Sequence, residues 1–465
     1  MAKQVINTQK SVRDNTVPNG GVTNPSGMDN ALNSLKMPIV PEMSYFEAFR
    51  GATEFNSIMQ SPVNATQGQQ ASFQVHNIGF LETCWTKFEC IFTLKTSGTA
   101  NTYNFGADFP YSLINRIVSQ FNGQVVTHSS TPYNLLALAT KRNTGFKFPS
   151  IANGTQTAET EQTTLTAGGV AKAANAKINS LSNHGLYGVE ITAVTGAGNG
   201  VTTTKGIANG LTALQSISLA GTANNSVTLK CWGYIPIHYT PRKDNLIGLI
   251  PLQNNSVFLD VKLDVASVLG SDYNAPVSTS ATDVIDNYSM VIKPIIDFYS
   301  VPAPYLNSAD IYKYLIMYNY IVSDTTVQTT GTGRFLNYNM PNNSFLASIM
   351  TTFRKSADHS LLNVDDVLSS MYIDYNGTAI VRNTPSDFDV MKANLLYTGG
   401  WNLPKGVFCK DFFDSLNGAN GQDWSRFINL YDATSPQLVA YSTDTAPNMD
   451  VNVTLEKIVP VSVMA

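Results

Sequence analysis

The chain has 465 residues, too many for one ordinary core, and 43% of them are hydrophobic, enough to fill two or three domains. Only 13% are charged, about half the share usual for soluble domains, and the formal net charge is −4. That balance argues against a protein that grips nucleic acid through a basic face, with or without sequence specificity. Asn, Thr, Ser and Gly carry the polarity instead, which suits surfaces that pack against many neighbours, because an unpaired buried charge costs far more than a buried amide or hydroxyl.

Residues 1–45 are rich in Asn, Gly, Pro, Ser and Thr, show no periodicity, and read as an N-terminal arm. The first residues lack the apolar core of a secretory signal. The longest apolar stretches, such as 246–252, fall far short of the roughly 20 residues that span a bilayer, so a soluble protein made in a cytoplasm is expected. From about residue 46 the dominant signal is period-two alternation, the mark of half-buried strands. Phe88, Cys90, Phe92 and Leu94 alternate with Lys87, Glu89, Thr93 and Lys95. Apolar odd positions in 257–265 alternate with Asp260, Lys262 and Asp264, and Val451, Val453 and Leu455 with Asn452, Thr454 and Glu456. Each run predicts one face in a core and the other in water. Helical patterns are few; Asn307-Ser308 caps a predicted helix through Ile311, Leu315 and Tyr318. The expected class is all-β with short helices. Cys84 and Cys90 sit roughly 20 Å apart along one predicted strand, too far to bridge. Cys231 and Cys409 stand alone, so free thiols are expected.

The most informative feature is an internal repeat. Phe121-Asn122-Gly123-Gln124-Val125-Val126, then Thr131-Pro132, recurs as Tyr375-Asn376-Gly377-Thr378-Ala379-Ile380, then Thr384-Pro385. Asn-Gly between β-formers signals a type I′ hairpin, because both central residues need positive φ. Thr-Pro then signals a helix start, with Thr as cap and Pro at the first helical position. A second pair of landmarks is Leu249-Ile250-Pro251-Leu252 and Phe427-Ile428-Asn429-Leu430. Between the landmarks, 127 residues separate Gly123 from Ile250 but only 51 separate Gly377 from Ile428. The excess is assigned to 151–226, about two-thirds Thr, Ala, Gly, Asn or Ser, with Tyr187 as its one aromatic residue. Such a segment is predicted to be a projecting loop or ribbon that contributes little to a core, so that shortening 155–222 is nearly neutral for stability. The domains expected are the arm 1–45, a first barrel 46–275 carrying the insertion 151–226, and a second barrel 276–465.

Signs of catalysis are absent from the motifs. There is no P-loop, dinucleotide fingerprint, zinc-protease helix or nucleophile elbow. His76, His128, His184, His238 and His359 are scattered. Asp365-Asp366 and the pair Asp387 and Asp389 are read as helix starts, where acidic side chains favour the dipole, in preference to a cation or acid–base site. The aromatic runs 232–239 and 408–413 are read as core in preference to sugar-stacking faces. No catalytic residue, cofactor or metal ligand is therefore assigned.

The run Phe109-Pro110-Tyr111-Ser112-Leu113-Ile114 leading into Phe121-Asn122-Gly123, then a roll ending Asp244-Asn245-Leu246-Ile247-Gly248-Leu249-Ile250-Pro251, resembles the first barrel of double jelly-roll major capsid proteins. These build tailless icosahedral bacteriophages of the tectivirus, corticovirus and finnlakevirus kind. The resemblance spans about 60–465. It implies two tandem jelly rolls and a homotrimer whose six barrels form a pseudo-hexagonal capsomer, packed against neighbouring capsomers in the virion. It also implies an outward tower, an arm on the inner side, penton or minor capsid proteins as partners, and in some members a membrane beneath the shell. A receptor- or carbohydrate-binding spike or adhesin is the competing reading, and an all-β glycan hydrolase the third.

Overall fold

The computed structural model describes residues 54–76, 78–96, 101–105, 109–130, 132, 134–135, 159–165, 177–179, 187–195, 201–208, 211–219, 225–239, 250–252, 258–267, 277–278, 284–300, 318–329, 334–356, 362, 364–383, 407–411, 428–443 and 446–460. The arm 1–45, the Thr384-Pro385 helix start, Asp387, Asp389, His184 and His359 lie outside them.

The described residues are overwhelmingly strand. The first half runs β1 (Glu54–Met59), β2 (Val63–Ala65), β3 (Gln70–His76), β4 (Gly79–Lys95), β5 (Asn101–Asn104), β6 (Ile114–Phe121), β7 (Gln124–Ser129) and β8 (Glu159–Leu165). It continues through β9 (Lys177–Asn179), β10 (Tyr187–Thr195), β11 (Val201–Ala208), β12 (Leu211–Leu219), β13 (Ser226–His238), β14 (Ile250–Leu252), β15 (Phe258–Val265), β16 (Val277–Ser278) and β17 (Val284–Ser300). The second half holds β18 (Tyr318–Thr329), β19 (Arg334–Asn339), β20 (Phe345–Lys355), β21 (Leu368–Tyr375), β22 (Thr378–Asn383), β23 (Val407–Asp411), β24 (Ile428–Asn429), β25 (Gln437–Ser442) and β26 (Met449–Pro460). Tyr318, placed in a helix by the sequence pattern, opens a strand instead. Its predicted helical period gives way to the long pairing of β18 with β26.

Nested antiparallel pairing makes each half a jelly roll. In the first, the outer pair β3/β15 lies in one sheet and the inner pair β4/β13 in another. Phe73 and Leu259 from the one sheet meet Phe88, Phe92 and Leu229 from the other in a single core. The alternation seen in the sequence does this directly: β15 buries every second residue, and β4 buries Phe88, Cys90, Phe92 and Leu94. In the second roll β19/β25 faces β20/β23, enclosing Leu336, Ile349, Phe353, Phe408 and Leu438.

Nine strands of the first roll have counterparts in the second. β1 corresponds to β18, β3 to β19, β4 to β20, β6 to β21, β7 to β22, β13 to β23, β14 to β24, β15 to β25 and β17 to β26. Every pairing among the first set recurs in the second. The Asn-Gly hairpins fall at matching places, with φ of 47° and 79° at Asn122 and Gly123, and 53° and 82° at Asn376 and Gly377. The landmark strands β14 and β24 also match. The sheets group β17 with the first roll, although it lies beyond residue 275, because it pairs along β4.

The Thr/Ala-rich segment departs from its expected character. β10 pairs along β13, and β12 along β5. Val189, Ile191, Val194, Ile217 and Leu219 are buried in the first core. A strand added to an existing sheet needs only small apolar residues at alternate positions, since its neighbours already supply the bulk of the core. Gly188 is the price of that closeness: a Cβ there would lie 2.2 Å from the Trp232 ring opposite. Of the remaining strands, β9 pairs with β10, while β8 and β11 extend a five-stranded sheet outward from β12 and β5.

Candidate assembly interfaces

Both faces of β26 are buried. Val451, Val453 and Leu455 sit in the second core. Asn452, Thr454 and Glu456, on the opposite side, are 2%, 0% and 0% exposed. Alternation alone pointed them to water; the correction is that the first roll occupies that side. Buried polar groups must be hydrogen-bonded, and these are. Asn134, in a helical stretch after β7, donates through Nδ2 to Asn452 Oδ1 (3.0 Å) and Thr454 Oγ1 (3.1 Å). It accepts at Oδ1 from Thr352 Oγ1 (2.7 Å). Asn452 Nδ2 donates to Ser130 Oγ at 2.9 Å. Tyr239 donates its hydroxyl to one oxygen of Glu456 at 3.2 Å, and Ser348 donates to the other. Val322, Phe345, Met350 and Ile458 join the first core from the same side.

A backbone seam accompanies these contacts. β7 pairs with β18 in parallel, Thr127 beside Val322 and His128 beside Ser323, so that half of each roll forms one nine-stranded sheet. Ser130, Asn134, Ser348 and Thr352 were not singled out by sequence, and Tyr239 only as the end of an aromatic run read as core. The available signal was β20 itself: from Phe345 to Phe353 it carries no charge, as a strand covered on both faces requires, and it is buried throughout that run.

Among the described residues, the counterpart surface on the first roll is partly exposed. On β4 and β17 the outward residues include Lys87, Glu89 and Lys293, with Lys87 Nζ 2.6 Å and Lys293 Nζ 2.8 Å from the Glu89 carboxylate. The Lys293 and Lys87 hydrogen bonds hold the Glu89 carboxyl down at about 2. Lys87 also lies over the Tyr234 ring, 5.8 Å from its centroid. Of the six large hydrophobic side chains exposed among the described residues, Phe55, Ile58, Met59 and Ile91 belong to β1 and β4. Three of these, Phe55, Ile58 and Met59, thus lie on the single edge strand β1.

The other sequence candidates are placed as follows. His76 is exposed, His128 half-buried and His238 buried, on three different strands. Asp366 lies in the short helix Val364–Val367 and is exposed. In the aromatic run 232–239, Ile235, Ile237 and Tyr239 are buried while Trp232 and Tyr234 are half-buried; Phe408 is in the second core. Cys84, Cys90 and Cys231 are buried free thiols, and burial pushes Cys84 and Cys231 upward.

No family model matches the chain, and no curated protein matches it. Solved structures match by fold. The crystal structure of the STIV MCP gives a TM-score of 0.50 at 12% identity, over 88% of this chain and 97% of that one. A chain from the atomic structure of Sulfolobus Turreted Icosahedral Virus gives 0.50 at 13%, over 88% and 91%. The Faustovirus major capsid protein gives 0.50 at 11%, over 99% of each chain. Coverage this complete takes in both rolls, so the likeness is to a tandem pair and not to a single sandwich.

Proposed function

We propose that this chain is a viral major capsid protein, a double jelly-roll block that trimerises and packs into an icosahedral shell around a genome. The observation that carries the reading is the likeness of the whole two-roll chain, over 88–99% of its length, to coat proteins of icosahedral and other viruses. Fold alone does not give function, and the surfaces add the second support. An edge strand with three exposed apolar side chains, beside a polar surface poor in charge, is what an assembling protein presents. Two similar rolls in one chain let threefold symmetry fill a nearly sixfold position. Few charges have to be desolvated when such blocks pack.

In this reading the first roll covers 54–300 and the second 318–460. Residues 1–45 form an arm on the inner side, near neighbouring capsomers or a membrane, and the sheet built on 151–226 faces outward. Minor proteins occupy the vertices, and no step of catalysis is involved. Light scattering on the purified chain is the test. The expected mass is three times 50.4 kDa, with pseudo-hexagonal particles in negative stain; a clean monomer at micromolar concentration overturns the reading.

A further inference from the structure

We infer that the outer edge of β22 in one copy of the chain pairs in parallel with β1 of a second copy, repeating between chains the seam that β7 and β18 make within each. The inference rests on the trimeric reading above and adds the strands that meet.

The internal repeat carries it. Within the chain, the joined edges are β7 from the first roll and β18 from the second. Their counterparts are β22 and β1. Among the described residues both end their sheets: the four-stranded sheet stops at β22 and the eight-stranded sheet at β1. Each chain therefore carries one completed seam and the two separate halves of another. A contact of this head-to-tail kind closes into a ring when the rotation between successive rolls divides the circle. A trimer needs three such seams between chains beside the three within them.

The open edge is of a kind that does not stay bare. An edge strand offers a row of unpaired N–H and C=O groups, and proteins normally blunt it with charge or proline. β1 has neither beyond Glu54, and its Phe55, Ile58 and Met59 are 55%, 39% and 62% exposed. The adjoining outer face of β4 and β17 corresponds to the face of β20 and β26 that the first roll covers within the chain.

The repeat also sets the register. In the first roll Leu81 pairs with Ile250 on one side and Phe298 on the other, and Phe298 pairs with Asn56. In the second, Leu346 pairs with Ile428 and Lys457, and Lys457 with Ile321. Asn56 thus corresponds to Ile321, and Ser57 and Ile58 to Val322 and Ser323. Counting from the matched hairpin glycines, Thr127 and His128 correspond to Val381 and Arg382. The in-chain neighbours Thr127/Val322 and His128/Ser323 become Val381/Ser57 and Arg382/Ile58 between copies.

Cysteine cross-linking of the full-length chain tests this, because paired strands bring Cα atoms within the roughly 7 Å that a disulfide needs. Arg382→Cys is combined in turn with Ser57→Cys, Ile58→Cys and Met59→Cys. His128→Cys with Ser323→Cys serves as the in-chain control of the same geometry. Light scattering is recorded on every variant. Expected are covalent dimers and trimers on non-reducing gels for the double variants, strongest with Ile58→Cys, and none for the single variants. A protein that scatters as a trimer and oxidises at the control pair, yet forms no inter-chain bond at any of the three registers, overturns the seam and leaves the trimer standing. A chain that scatters as a monomer overturns the trimeric reading and the seam with it.

Discussion

Asn134 is fully buried and uses both ends of its amide, accepting from Thr352 and donating to Asn452 and Thr454. Asn134→Leu keeps much of the volume but strands those hydroxyl and amide groups out of reach of water. Leaving buried polar groups unsatisfied costs about 1–3 kcal/mol each, so a clear fall in thermal midpoint is expected, and an unchanged midpoint contradicts a junction held by this network. Glu89 acts through charge instead. Its carboxyl is held at about 2 by Lys293 and Lys87, below the roughly 4.3 of an unfolded chain. A depressed carboxyl contributes stability above the unfolded value, and that contribution is lost as pH falls through the folded one. Glu89→Gln is therefore expected to be less stable than wild type near neutrality by about 1 kcal/mol, a size set by its partial exposure. The gap should close between about pH 4.5 and pH 2 in urea titrations. A gap that persists at pH 2 assigns the loss to packing instead.

At the scale of the element, β10 and β12 change what a deletion does. Sequence alone expects replacement of 155–222 by a short linker to be nearly neutral, since loop closure grows slowly with length. The removed strands, however, carry Val189, Ile191, Val194, Ile217 and Leu219 out of the first core and uncover an edge of β13. Burying one such side chain contributes roughly 1.5–3 kcal/mol, and a whole domain is stable by only about 5–15 kcal/mol. The deletion is expected to give insoluble or unfolded protein. Cutting back only the tip of the β11–β12 hairpin, 205–214, which pairs with itself and β8, is expected to leave the melting temperature close to wild type. Soluble yield and circular dichroism melts of the two variants check both outcomes.

Across the whole molecule, the seam between β7 and β18 and the Asn134 and Glu456 contacts tie the rolls into one body. A continuous nine-stranded sheet with a buried polar junction cannot release one roll without exposing unsatisfied groups on the other. Calorimetry is expected to show a single unfolding transition for the wild-type chain. Two resolved transitions in the wild type would mean that the rolls are independent. The same geometry makes the chain half of a repeating pattern, with one seam closed and one open, and the open half is where the proposed second copy would pair.

What the amino-acid sequence determined on its own was local and repeated. Residues 88–94 and 259–265 had to form strands with one apolar face, because Cβ atoms alternate along a strand. The Asn-Gly pairs had to be hairpins, because the I′ turn needs positive φ at both positions. Together with the second landmark they revealed the duplication, and with it the two rolls. What only the tertiary structure decided was which partner each face meets. Asn452, Thr454 and Glu456 alternate as a solvent-facing row does, yet they are buried, because a second roll can replace water wherever it supplies the same hydrogen bonds. Val189 to Leu219 look too sparse for a core, yet they join one that other strands have built. Both outcomes depend on contacts between residues far apart in the sequence, from tens to hundreds of positions, and no local period records those.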